Sequence, residues 1–173
     1  ATAVLFDSKS GSAMTLTELF ATEDKIDHKI DLASLGFVTV KANNDYVTVN
    51  SFVAPNTTAS IQRGIDAASA AWTVNVAPGS FAENLNVDKP LDIRGANYGT
   101  SGCDTRSAES TIQGSLTIGT DGISIDGFEF TGTNASIAST AGAVVRSNIS
   151  IKNNYLHSTT AQIPIRHGLG LGG

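Results

Sequence analysis

The feature that most constrains this chain is how its second half is broken into very short runs of alternating apolar and polar residues. From residue 73 onward, Gly, Pro, Asn or Asp stands at nearly every break between these runs. Alternation with a period of two predicts β-strands that each bury one face. Strands this short do not form stable isolated hairpins, and Asn-Gly hairpin loops are scarce. The strands are therefore expected to pair through another arrangement.

An internal repeat indicates which strands pair. The sequence ISIDGFEF at positions 123–130 recurs as ISIKNNYL at positions 149–156, so that Ile123 corresponds to Ile149 and Ile125 to Ile151. A period in the twenties with several short strands is typical of solenoids, in which each coil pairs in parallel with the next at about 4.8 Å. The repeat predicts an all-β fold, namely a solenoid of stacked parallel strands.

One amphipathic segment is predicted to be a helix, over residues 60–70. Ser60 is a suitable N-cap, and Ile61, Ile65 and Ala68 fall on one face. The domain prediction is a truncated β-helix over residues 59–173, preceded by a segment of β-strands and a linker over residues 1–58.

The segment before position 59 carries weaker patterns. Residues 26–32 alternate between apolar and charged, which predicts a strand with His28 on its apolar face. Residues 37–40 and 46–49 indicate two more strands, as a hairpin or as neighbours, because the residues between them are typical of turns. Residues 16–20 suit a helical turn or a strand equally well.

Composition excludes several classes of function. Charged residues make up 16% of the chain, and the formal net charge is −5 without any basic run. Nucleic acid is therefore not an expected partner, because phosphate binding requires clustered Lys and Arg. No apolar run approaches the length of about 18 residues that a membrane span needs. A single cysteine, Cys103, excludes a disulfide framework.

Three segments together resemble the opening of pectate-lyase-like β-helix domains. They are SIQRGIDAA at positions 60–68, TVNVAPGSFAEN at positions 73–84 and KPLDIRG at positions 89–95. The resemblance, which extends over residues 59–157, implies a capping helix followed by a right-handed parallel β-helix. The chain also resembles a slice of a large bacterial secreted or surface repeat protein. The family includes lyases, hydrolases, esterases, tailspikes and adhesins, so the resemblance does not define an activity.

Two further resemblances concern enzymes of that family. Residues 79–84 are similar to a segment of pectin methylesterases, and residues 166–172 are similar to a segment of polygalacturonases. The neighbouring acidic residues that such chemistry requires are not found in the sequence. Arg166 and His167 are the candidate catalytic residues, because an imidazole beside a guanidinium can act as a base or bind a carboxylate.

Other candidate sites lie in the loops and corners of the predicted coils. The long loop over residues 96–110 suits a binding rim or a decorated turn. Asp and Glu side chains on one coil would suit a hard cation such as calcium, although the two Asp residues each lie near a glycine and equally suit turns. The candidate ligand-binding residues are Arg94, Asp104, Arg106 and Glu109, and the candidate calcium ligands are Asp121, Asp126 and Glu129.

These patterns favour a non-enzymatic β-helix module of a secreted or cell-surface bacterial protein, with a structural, adhesive or carbohydrate-contacting role. The alternative is a carbohydrate-active enzyme, a polyuronate lyase or hydrolase, or a fragment of one. The expected partners are a polysaccharide and further copies of the chain, as a dimer or trimer formed through open β-helix ends. No cofactor other than calcium is expected.

Overall fold

A computed structural model of the chain describes residues 5, 6, 8–140, 145–158 and 165–166. Short helices occupy the first part of the chain, and short strands occupy most of the rest. The helices are a 3-10 turn (Gly11–Ala13), α1 (Leu16–Glu23) and α2 (Ile61–Ala67). The strands are β1 (Asn44–Val47), β2 (Trp72–Val76), β3 (Gly79–Phe81), β4 (Leu85–Val87), β5 (Leu91–Arg94), β6 (Ser110–Ile118), β7 (Ser124–Asp126), β8 (Phe128–Ser139), β9 (Ser150–Lys152), β10 (Tyr155–Ser158) and β11 (Ile165–Arg166).

Both α-helices begin at side chains that satisfy their free N–H groups. In α1, Thr15 and Glu18 form a reciprocal capping box. In α2, Ser60 Oγ accepts from the Arg63 N–H at 3.2 Å, which confirms the predicted N-cap. Glu83 adds its carboxylate at the same end, where it accepts from the Ile61 N–H at 2.5 Å. In the part of the chain that the structure describes, no helix has the length and hydrophobicity to cross a membrane.

Five strands form the first parallel sheet, in the order β1-β2-β5-β7-β9. Within it, Ile93 of β5 pairs with Ile125 of β7, which pairs in turn with Ile151 of β9. The repeated segments 124–126 and 150–152 are therefore neighbours in the sheet, as the repeat predicts. The pairing of β1 with β2 joins the segment before position 59 to the same sheet.

Six strands form the second parallel sheet. The order β10-β8-β6-β3 is its main path, while β4 also pairs with β6 and β11 also pairs with β8. A register shift between Gln113 and Ser115 divides the long strand β6 into two paired halves. The inward-facing residues of both sheets and of α2 form one apolar core, whose fully buried members include Ile65, Val74 and Phe130.

The predicted all-β right-handed parallel β-helix is wrong. The structure is mixed α/β, with two parallel sheets and short helices, and it is not a solenoid. The paired residues of the first sheet also do not recur at one fixed sequence separation. The pair Trp72↔Leu91 encloses a much shorter stretch of chain than the pair Asp92↔Ser124, although both pairs belong to the same sheet. The repeat thus describes one pair of neighbouring strands in each sheet rather than the whole chain.

The strand predicted over residues 26–32 is also wrong, because the segment forms turns. Asp31 Oδ2 accepts from the His28 N–H at 2.8 Å, and the N–H groups of Asp31 and Leu32 donate to the His28 carbonyl. Apolar and charged residues thus alternate along this segment although it forms a turn, which the Asp31 carboxylate closes. Of the two strands predicted after it, only one forms, as β1 (Asn44–Val47).

Candidate functional site

A cleft of about 630 Å³ lies between α1, the strands β1 and β2, and the loop that follows β5. We call it the α1 cleft. Its volume is within the range of small-molecule binding sites, and apolar side chains dominate its walls. It is lined by Met14, Leu16, Thr17, Leu19, Phe20, Lys41, Asn44, Tyr46, Asn75, Val76, Ala77, Pro78, Arg94, Gly95, Ala96, Tyr98 and Ser107.

The floor of the α1 cleft is built from outward-facing residues of β1 and β2. Tyr46 pairs with Asn75 in the sheet, and the edge of the Phe20 ring meets the Tyr46 ring at 5.7 Å and 89°. Tyr46 is buried, and burial raises the pKa of its phenol to about 12. Asn75 Nδ2 donates to Asn44 Oδ1 at 3.2 Å and to the Asp45 carbonyl at 3.1 Å. The floor therefore combines an uncharged phenol with fixed amide groups.

One rim of the α1 cleft holds an exposed aromatic ring and a cation. The Arg94 guanidinium carbon lies 4.2 Å from the centre of the Tyr98 ring, and Arg94 Nε donates to Asp92 Oδ2 at 2.7 Å. Tyr98 is 48% exposed, so much of its ring surface is open to a ligand. Such a ring can cover an apolar ligand face, while the ion pair with Asp92 partly neutralises the cation.

The described lining of the α1 cleft carries its formal charges on Lys41 and Arg94. Among the described residues that line it there is no Asp, Glu, His or Cys. The hydroxyls of Tyr46 and Tyr98 and the Lys41 ammonium are groups that can hydrogen-bond. The arrangement can therefore bind and orient a ligand.

The four predicted ligand-binding residues do not form one site. Arg94 is at the rim of the α1 cleft, whereas Arg106 and Glu109 form an ion pair in the following loop. The Arg106 side chain is only 4% exposed and also donates to the carbonyls of Thr100 (3.2 Å) and Asn153 (2.7 Å). All these bonds hold the loop in place. Asp104 is exposed at the tip of the same loop.

The three predicted calcium ligands each have separate partners. Asp121 accepts from Ser147 Oγ at 2.9 Å, Asp126 Oδ1 accepts from Asn153 Nδ2 at 2.9 Å, and Glu129 Oε2 accepts from the hydroxyl of a neighbouring threonine. In the described ranges, no group of three potential ligands within 4.8 Å includes any of these carboxylates. The hydrogen bonds instead connect neighbouring strands and their corners.

The two predicted catalytic residues lie near the end of the chain. Arg166 is in β11 and pairs with Ala138 of β8. His167 lies outside the described residues.

Sequence reasoning missed a buried polar cluster of Glu23, His28 and Asp31, which we call the His28 cluster. One ligand-type atom from each residue lies within 4.8 Å of the others. All three side chains are buried, and His28 Nε2 is in contact with Glu23 Oε1. The available signal was the concentration of acidic residues around His28 in the sequence, namely Glu23, Asp24, Asp27 and Asp31.

The hydrogen bonds of His28 argue against a metal at this cluster. The Val38 N–H donates to His28 Nδ1 at 3.2 Å, so Nδ1 is an acceptor and the ring proton resides on Nε2, facing Glu23. A histidine that binds a metal through Nε2 carries its proton on Nδ1 and donates it. In this structure a proton on His28 Nδ1 would point at the Val38 N–H, which is itself a donor. The cluster is therefore joined by a proton shared between an imidazole and a carboxylate.

The chain has no significant match among protein-family models, curated proteins or solved structures.

Proposed function

We propose that the chain is a non-enzymatic, self-associating module of a secreted or cell-surface protein, and that its α1 cleft contacts a polysaccharide. The exposed Tyr98 ring, held in place by Arg94 at the rim of an apolar cleft, is the observation that carries this proposal. Sugar rings present apolar C–H faces beside hydroxyl groups, and the cleft offers an aromatic face beside the amides of Asn44 and Asn75.

Charge favours a neutral polysaccharide over a polyuronate. The net charge of the chain is −5, and the guanidinium of Arg94 is paired with Asp92. Within the described ranges, Lys41 is then the one cation lining the α1 cleft that has no carboxylate at ion-pair distance. A glycoside hydrolase acting on polyuronates would also need two carboxyl groups beside the bound sugar, and the described cleft lining contains no Asp or Glu.

Titration calorimetry with a soluble neutral β-glucan and with polygalacturonate tests the proposal. We expect the β-glucan to bind, and Tyr98→Ala to weaken that binding about fivefold, because an aromatic stack is worth on the order of 1 kcal/mol. Phe52→Ala is the matched control, since Phe52 is also exposed but lies outside the cleft. Chromatography of each polymer after long incubation should show an unchanged length.

Three results would contradict the proposal. They are release of shorter sugars from either polymer, absence of binding to both, and equal binding by the Tyr98→Ala variant and the original chain.

A further inference from the structure

Asp45 is a buried carboxylate on strand β1. It is 1% exposed, and within the described part of the chain neither of its carboxylate oxygens has a partner. Asp45 lies in β1 at the register position of Val74, and Val74 and Val47 belong to the apolar core. Because side chains alternate along a strand, Asp45 shares the core-facing side of β1 with Val47. Burial without partners is costly for an ionised group and much less so for a protonated one.

The groups facing Asp45 give it little compensating charge. The charged neighbours that influence it are Glu23 from α1, His28 from the segment after α1, and Lys89 from the β4–β5 connection. Lys89 Nζ is engaged by two main-chain carbonyls, at 3.1 and 2.9 Å. Asp31 faces His28 from the same segment, at 4.0 Å between Oδ2 and Nε2. Three buried carboxylates therefore surround a single buried imidazole.

A further cation near this region is Arg63 of α2. Its guanidinium donates to the carbonyls of Ile30 (2.7 Å), Ser51 (3.0 Å) and Thr58 (2.8 Å). It influences Asp31 electrostatically, but its hydrogen bonds are made to the main chain. Carboxylates that cannot all be paired with cations retain protons in the folded state.

We propose that Asp45 and the His28 cluster form a proton-dependent lock, which holds α1 and residues 24–43 on the edge of the first sheet and weakens when the cluster loses protons. The helix α1 and the strand β1, which the lock would join, also contact each other through the Phe20 and Tyr46 rings. Loss of protons would leave several negative charges buried at this junction. The lock is independent of the ligand proposed for the α1 cleft.

The expected pKa shifts all have the same sign. Burial raises the pKa of Asp45 from 3.8 to about 7, and burial likewise raises the pKa of Glu23. The folded state thus holds these protons more tightly than the unfolded state. Stability from Asp45 is present at acid pH and falls as the pH rises from about 4 to about 7.

The chain contains an internal reporter for this junction. Its single tryptophan, Trp72, lies 5.8 Å from the Phe37 ring, and the Phe37 ring lies 5.7 Å from the His28 ring. A loosening of residues 24–43 would change the surroundings of Trp72. Tryptophan fluorescence and hydrogen exchange of residues 16–40 can therefore be followed on the full chain.

The test compares pH 5 with pH 8, after correction for intrinsic exchange rates. We expect protection of α1 amides to be about tenfold or more lower at pH 8, with a change in Trp72 emission. Asp45→Asn should remove most of this difference, because the neutral amide resembles the protonated acid. Asp27→Asn is the control, since Asp27 is exposed in the same segment. If Asp45→Asn does not fold, Glu23→Gln takes its place.

A measurement on the original chain keeps the proposal falsifiable without any variant. Carboxyl-carbon NMR should give Asp45 a pKa well above its ordinary range. An ordinary pKa for Asp45, equal protection of α1 at both pH values, or an unchanged pH response in the Asp45→Asn variant would each overturn the proposal.

Discussion

Arg106 and Glu109 meet through two parallel hydrogen bonds, from Nε to Oε1 at 2.6 Å and from Nη2 to Oε2 at 2.8 Å. The guanidinium also lies 4.5 Å from the centre of the Tyr155 ring. This geometry requires the planar fork of arginine, which a lysine ammonium cannot reproduce. The hydrogen bond with Arg106 also holds the pKa of Glu109 below its usual range. Arg106 thus links the loop after β5 to the main chain at Phe128 and Asn153.

We expect Arg106→Lys to lower the free energy of unfolding by about 2 kcal/mol, because several charge-assisted hydrogen bonds are lost at a buried side chain. Urea denaturation followed by circular dichroism measures the change. Arg94→Lys is the matched control, with an expected change below about 1 kcal/mol, since its ion pair with Asp92 is about a third exposed. Equal losses in the two variants would contradict this role of Arg106.

Gly127→Ala should destabilise the chain more than Gly122→Ala does. Both glycines have positive φ, at 85° and 72°, so alanine costs on the order of 1 kcal/mol of backbone strain at either position. At Gly127 an added Cβ would also lie 2.2 Å from the Tyr98 nitrogen, whereas at Gly122 its nearest neighbour is Pro90 Cβ at 3.3 Å.

The expected loss for Gly127→Ala is therefore about 3 kcal/mol, with strain and overpacking combined. Thermal unfolding of the two variants side by side checks the difference. Because the clash is with Tyr98, the Gly127→Ala variant should also bind the β-glucan less tightly. Identical melting temperatures for the two variants would show that the close approach to Tyr98 is not maintained in solution.

Self-association is expected through the β9 side of the first sheet. Ile93 and Ile125 are fully buried in the apolar core. Ile151, which pairs with Ile125 on the outermost strand β9, is only partly buried. Light scattering after gel filtration should give the mass of a dimer or trimer. Ile151→Lys should shift the mass toward the monomer, because it places a charge in an apolar contact.

Leu35→Lys is the control for that measurement, because Leu35 is exposed in the segment that precedes β1. A monomeric mass of the original chain at all concentrations would contradict the predicted self-association.

Local sequence signals predicted several elements correctly. Ser60 with the apolar positions that follow it predicted α2, and the repeat at positions 123–130 and 149–156 predicted the parallel pairing of β7 with β9 and of β8 with β10. Both signals are short-range or rely on self-similarity, so no knowledge of the remaining fold was needed. The strand predicted around His28 failed because alternation does not distinguish a strand from a turn closed by Asp31.

The sequence by itself therefore determined which residues are apolar and inward-facing in the short strands, where α2 begins, and which two segments stack as a repeat. Only the tertiary structure decided that the chain is mixed α/β with two parallel sheets. It also placed Arg94 and Tyr98 at a cleft, and it brought Asp45 close to Glu23 and His28. Sequence patterns report periodicity over a few residues. The cleft and the buried cluster depend instead on contacts between separate elements of the fold, and on whether a given charged side chain finds a partner there.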